Sequence, residues 1–286
     1  MIVLAVLFQA IGKVMFGTLL SDVPSTLFVF LSFGLTAALF LAVSRHGTGS
    51  PAWGVLLLLN ASTALTFISF FYALKLIEPA IVGAVEIGIG PVMVVLLSLI
   101  LIGERPTVLR LVVCGGILCG CAVLALAALQ GSGFTSHGSQ AWLGLGASVA
   151  AGVGAVLITM TSKALLNLGW KFGAVLAHRF YLILPISLIM TLGTDAFTIE
   201  WGTELVIVLL VVAVIGVLAP LYLLQIGIGR CDPYTVMVTM SALPVLTFAI
   251  EGLSPIYQWS ALTAVGLTIV TGFLLLDIFA KGVQRS

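Results

Sequence analysis

The sequence is poor in charge. Lys, Arg, Asp and Glu fill 7% of its 286 positions and hydrophobic residues 61%, against roughly 25% and 45–50% in soluble globular domains. That balance excludes a water-soluble fold. No basic run or basic face accompanies the net charge of +1, so nucleic-acid binding is set aside. The chain also has no G-x-x-x-x-G-K-[ST], no H-E-x-x-H and no G-x-S-x-G, which removes ATP-driven pumping and familiar hydrolase chemistry. Cysteine is sparse. Cys114, Cys119 and Cys121 share one apolar segment with Gly115, Gly116 and Gly120, where Cys acts as a small hydrophobe. Neither His nor a carboxylate completes a metal site there, so no metal and no cofactor is implied. Long polar connections are missing too, the longest running from Gln130 to Gln140, which leaves no room for a soluble catalytic domain. Met1 to Leu20 has no basic n-region and is expected to be the first span.

Apolar runs dominate instead. Ten can be marked, at 1–20, 25–44, 53–74, 80–102, 107–129, 141–165, 171–193, 204–227, 234–253 and 257–280, separated by turns rich in Pro and Gly. One set of alternate connections, with the C-terminal tail, carries Arg45, Arg105, Arg110, Lys163, Lys171, Arg230, Lys281 and Arg285. The opposite set carries Lys75, with the acids Asp22, Glu78, Asp195, Glu200, Glu204 and Glu251 on that side. Cytoplasmic loops are enriched in Lys and Arg, so both termini are expected in the cytoplasm of a multi-pass protein of the inner (plasma) membrane.

A repeat underlies these segments. Segment four begins IEPAIVGAVEIGIGPV and segment nine CDPYTVMVTMSALPV, which pairs Pro79 and Pro91 with Pro233 and Pro244. Segments one and six each end with a lysine, Lys13 and Lys163, ahead of an aromatic-rich span. The expected fold is therefore an all-α polytopic membrane protein, its ten transmembrane helices forming two inverted five-helix repeats. The first repeat is 1–129, a connecting loop is 130–140, and the second repeat is 141–286. Inverted repeats are the architecture of many secondary transporters, whose substrate site lies near the bilayer midplane.

Within segment four, Glu86 and Pro91 interrupt a run long enough to cross a hydrocarbon core of about 30 Å. An ionisable group there costs at least ~2.5 kcal/mol on insertion scales, so it faces a cavity or a partner. Pro91 frees the carbonyl of Ile87, and Pro244 that of Met240, so both prolines are expected hinges. Counting about 1.5 Å per residue puts Lys13 and Glu86 roughly 10 Å below the same surface, and contact within about 8 Å is expected. Such a pair either fixes helix packing or meets a zwitterionic substrate. Asn60, with Phe67 and Phe71 further along its helix, offers a polar head and an aromatic wall. It serves either an interhelical hydrogen bond or a substrate. Gln9, one turn before Lys13, is open to the same two readings. Arg179 either snorkels to the interface or captures an anion, while His178 reads as a packed or hydrogen-bonded histidine, with a proton relay the alternative. Gly116 to Gly120 and Thr268 to Gly272 are small-xxx-small spacings read as intramolecular packing, with dimerisation the alternative.

The pattern resembles the drug/metabolite transporter superfamily in its EamA-type branch. Pro79, Gly90-Pro91, Gly103-Glu104-Arg105, Pro233, Pro244 and Arg179-Phe180 carry the resemblance, which covers essentially the whole chain. The second half departs from it with Glu251-Gly252-Leu253 in place of Gly-Glu-Arg. Within the superfamily the chain is most similar to amino-acid exporters, where threonine and homoserine exporters carry a similar glutamate shortly before Gly-Pro. The resemblance implies a secondary transporter exporting small neutral or aromatic amino acids or related amphipathic metabolites. The substrate-binding candidates are Lys13, Glu86, Asn60, Phe67, Gln9 and Arg179. The expected partners are a small molecule and the lipid bilayer, and a monomer is compatible with both. The alternatives are a carrier of phosphorylated or nucleotide-linked sugars, a channel or non-transporting scaffold, and an intramembrane lipid enzyme.

Overall fold

The computed structural model describes residues 1–43, 48–97, 99–100, 103, 105–130, 139–194, 199–230, 240, 242–253 and 260–283. Among them are helices and turns and no strand. The first half contains α1 (Ile2–Leu19), α2 (Ser25–Val43), α3 (Trp53–Ala73), α4 (Pro79–Leu97) and α5 (Val108–Leu129). Pro79 opens α4, where its missing amide costs nothing. The Thr107 hydroxyl caps α5 by accepting from the Arg110 amide at 3.3 Å. Just past the end of α1, the Lys75 ammonium donates to the carbonyls of Leu20 and Ser21.

The second half contains α6 (Ser139–Asn167), α7 (Phe172–His178), α8 (Ile183–Leu192), α9 (Thr203–Ala213), a π turn (Val214–Leu218), α10 (Ala219–Arg230), α11 (Leu243–Glu251) and α12 (Ala261–Val283). Seven helical stretches among the described residues are long and apolar enough to cross a membrane, and Pro79–Gly90 and Ala261–Leu276 are shorter apolar helices. Large apolar side chains such as Leu57, Ile189 and Ile207 point outward, an arrangement suited to acyl chains and not to water. This is a multi-pass membrane protein.

Helix α3 packs along α6, α4 also lies on α6, and α5 lies along α12. Helix α1 packs on the π turn, α10 and α11, while α2 packs on α7 and α8. Glycine permits the closest crossings. A Cβ on Gly12 of α1 would stand 2.1 Å from the Cα of Gly216 in the π turn, so the two backbones touch. Gly116 and Gly120 of α5 receive Phe273 and Val270 of α12, which makes this GxxxG an intramolecular contact. Thr268 and Gly272 do not play the matching part: Thr268 is exposed and nothing lies within 4 Å of a Cβ at Gly272. The buried stripe of α12 runs through Thr263, Leu267, Val270 and Leu274, and it is Gly266 that seats Leu124.

Two expectations about helix continuity change. Segment seven is two helices, broken between His178 and Ile183. Pro185 has no amide to give the Tyr181 carbonyl, and Asn60 of α3 bonds other backbone groups at the break. Its Nδ2 donates to the carbonyls of Leu56 at 2.9 Å and His178 at 2.8 Å. Its Oδ1 accepts from the amides of Tyr181 at 2.7 Å and Leu182 at 3.4 Å. Segment eight contains the π turn, in which the Ala219 amide donates to Val214, five residues back. Pro220 explains it, because the Gly216 carbonyl has no amide four residues on. Pro244 stands in the first turn of α11, after a turn at Ala242, with Met240 helical before that turn. Helix α4 continues through Pro91 to Leu97. Pro233 and Glu104 lie outside the described residues.

Because Asn60 satisfies buried backbone groups that have no water to turn to, Asn60→Leu is expected to destabilise the protein by ~1–3 kcal/mol for each group orphaned. Thermal unfolding in detergent checks this: a clear fall in melting temperature is expected, and a variant as stable as the parent contradicts it.

Candidate functional site

A cavity opens where α1, α3, α4 and the π-turn helix meet. Its polar lining is Lys13, Glu86 and Gln9. The Lys13 ammonium donates to Glu86 Oε2 at 3.3 Å, so the pair brought to equal depth by turn counting is in contact. Local sequence builds this meeting. Gly83, one turn before Glu86, leaves space that a Cβ would restrict, 3.1 Å from Lys13 Nζ. Gly12 lets α1 approach the π turn closely, which carries Lys13 inward. The ammonium also lies 4.5 Å from the Phe70 ring centroid. Lys13 is 6% exposed and Glu86 18%, so the carboxylate is the more accessible member of the pair.

The opposite wall is aromatic. Phe28, Phe67, Phe70 and Phe71 line the cavity. Phe71 sits edge-on to Phe28 at 5.0 Å and to Phe70 at 5.3 Å, and Phe33 supports Phe67 at 4.6 Å. Gly216, Val217, Pro220 and Leu221 close the remaining side. The π turn therefore forms part of the cavity surface, as π-bulges often do at functional sites.

Two expected site residues stand elsewhere. Asn60 is absent from the lining, and its amide ties α3 to the α7–α8 break. Arg179 does not snorkel: it is 3% exposed, within the bundle at that break. Its guanidinium lies 5.8 Å from the Phe67 ring and 5.6 Å from the Phe180 ring. Its Nε has no hydrogen-bond partner among the described residues. Arg179 thus stands behind a cavity-lining ring, outside the cavity itself. Of the six candidates the structure brings together Lys13, Glu86, Gln9 and Phe67.

Sequence reasoning did not find Gly12, Gly216 or Pro220. The signal was available in Pro220, a proline inside an apolar run, and in the glycine four residues before it. Glu78 and Glu251, read as acids on one side of the membrane, are buried at 1% and 2% exposure.

Residues 1–126 match the sequence model of the EamA-like transporter family, a family of membrane transporters of small metabolites and not of enzymes. No curated protein matches the chain. A solved structure, described only as the crystal structure of a protein, superposes with a TM-score of 0.65 at 20% identity, covering 99% of this chain and 99% of that one. The fold is shared with it.

The ion pair has a thermodynamic signature. Removing one member of a buried pair strands the other and costs about 3–5 kcal/mol, whereas replacing both by apolar groups is often neutral. Lys13→Met alone is expected to lower the melting temperature sharply, and Lys13→Met with Glu86→Leu to restore most of it. Additive decreases in the double variant contradict a direct pair.

Proposed function

We propose that the protein is a secondary transporter that exports small neutral or aromatic amino acids, or related amphipathic metabolites, by alternating access. One observation carries the reading: a cavity inside a membrane bundle holds a lysine and a glutamate in contact, facing a wall of phenylalanines. A zwitterion can part that pair and satisfy both members, its carboxylate taking Lys13 and its ammonium taking Glu86, with no net change in buried charge. Gln9 offers an amide to a polar side chain, and Phe67, Phe70 and Phe71 offer an apolar surface. A phosphorylated sugar asks for several cations, and among the described lining residues Lys13 is the cation present. Arg179, buried behind Phe67 without a carboxylate partner among the described residues, is a second station for the substrate carboxylate once that ring moves.

The two-fold architecture is part of this proposal. When each segment is exchanged with the one five places on, α3 on α6 becomes the π-turn helix on α1, and α4 on α6 becomes α11 on α1. The pairs α2 with α7 and α8, and α5 with α12, map onto themselves. All these packings are present, which supports inverted halves. Alternating access then consists of rocking about Pro91, Pro244 and the π turn. Placement in the inner membrane with both termini cytoplasmic rests on the loop charges, and export rests on the resemblance to exporters.

The experiment is counterflow in proteoliposomes. Glu86→Gln keeps shape and hydrogen bonding while removing charge. If it costs about 2 kcal/mol, the low end for a buried charge pair, apparent affinity for threonine, methionine and phenylalanine falls about thirtyfold, with the variant still folded and monodisperse. Unchanged counterflow of all three places the substrate elsewhere.

A further inference from the structure

Two buried donors without acceptors face each other across α7 and α10. Arg179 directly follows α7 and keeps right-handed helical backbone, so it lies two turns from Phe172 on the same face. On α10, Gln225 lies one turn before Gly229, again on one face. The two helices pack together, and the Phe172 ring occupies the space that a Cβ on Gly229 would need. The faces that carry Arg179 and Gln225 are therefore the faces that α7 and α10 turn toward one another. From the Phe172–Gly229 contact both helices run into the bundle. At about 1.5 Å per residue, Arg179 stands roughly 10 Å along its helix from that contact and Gln225 roughly 6 Å.

Both side chains are buried and unsatisfied. Arg179 is 3% exposed and Gln225 2%. Arg179 Nε and Gln225 Nε2 have no hydrogen-bond partner among the described residues, and no carboxylate among them pairs with the guanidinium. A guanidinium cannot shed its charge in a protein, so burial leaves that charge to be compensated. The Phe67 and Phe180 rings, 5.8 Å and 5.6 Å away, compensate it only in part. What is missing is an acceptor that carries negative charge. A carboxylate meets both donors, because its two oxygens match the fork of a guanidinium and keep lone pairs for an amide. The place also adjoins the cavity: Phe67, which stands against the guanidinium, and Leu221, one turn before Gln225, both line it.

We propose that Arg179 and Gln225 form a carboxylate-binding site of their own, behind Phe67 and Leu221 and distinct from Lys13 and Glu86. Depth separates the two places. Counted from the seat of Ile2 on Gly227, Gln225 stands about 3 Å along α10 and Lys13 about 16 Å along α1. In the transport reading, on which its part in the cycle rests, this site holds the carboxylate of an amino acid on its way to or from Lys13. Gln225 supplies the second donor there. Binding itself needs only a carboxylate and does not depend on that reading.

Titrating the purified protein in lipid nanodiscs with acetate, and reading its melting temperature against chloride at equal ionic strength, tests this. The wild type is expected to gain stability saturably in acetate over chloride. Arg179→Met is expected to lose the gain. Gln225→Leu is expected to need about tenfold more acetate for half of it, as for one hydrogen bond to a charged group. The gain is expected to survive in the double variant Lys13→Met with Glu86→Leu, which puts it outside the cavity pair. No difference between acetate and chloride in the wild type overturns the proposal, as does a gain kept in Arg179→Met or lost with the cavity pair. If Arg179→Met does not fold, Gln225→Leu decides, and a titration unchanged from the wild type refutes the site. Counterflow by Glu86→Gln bears on the cavity and acetate on this site, so each reading fails by its own measurement.

Discussion

The contact between Lys13 and Glu86 is the constraint around which the first half is built. Both charges have been taken largely out of water, and the desolvation cost is offset only when geometry and surroundings are favourable. The surroundings here are specific: Gly83 makes room for the ammonium, Phe70 lies under it, and Gly12 lets α1 sink against Gly216. A bulkier residue at any of the three glycines pushes the lysine away from its partner. The pair is also incompletely covered, since Glu86 remains the more exposed member.

Around this pair the bundle breaks its helices where the breaks can be satisfied. The interruption of α7 and α8 lies inside protein and is completed by Asn60, and the π turn beside Pro220 lies against α1 and the cavity. Irregular backbone at membrane depth is tolerated only in such places. The π turn is part of the cavity surface, and the α7–α8 break holds Arg179 behind Phe67.

Much of this was legible in the sequence, for identifiable reasons. Long apolar runs bounded by Pro and Gly mark helices well, and counting turns from a common surface was enough to bring Lys13 to Glu86. Side-chain partners across the bundle were harder. Asn60 announces that a buried amide needs acceptors and donors, but nothing local says that they are His178, Tyr181 and Leu182, more than a hundred residues away. Arg179 looked able to reach the interface because depth along a helix says nothing of which face it occupies. The same blindness to face made Thr268 and Gly272 look like a packing motif. Glu78 and Glu251 read as surface acids because they stand at segment ends, yet the α4 start and the α11 end fold inward together. Pro185 and Pro220 carried the helix breaks in plain view, one carbonyl left without its amide at each.

The central claim is that a zwitterionic amino acid binds by parting Lys13 from Glu86. A structure determined in a bilayer mimetic with saturating phenylalanine tests it most directly. The account predicts the ligand between the two side chains, its ammonium on Glu86, its carboxylate on Lys13 and its ring against Phe67, Phe70 and Phe71. The Lys13 and Glu86 side chains, 3.3 Å apart without ligand, then stand too far apart to hydrogen-bond each other. An intact Lys13–Glu86 ion pair with the amino acid bound elsewhere, or not bound at all, contradicts it.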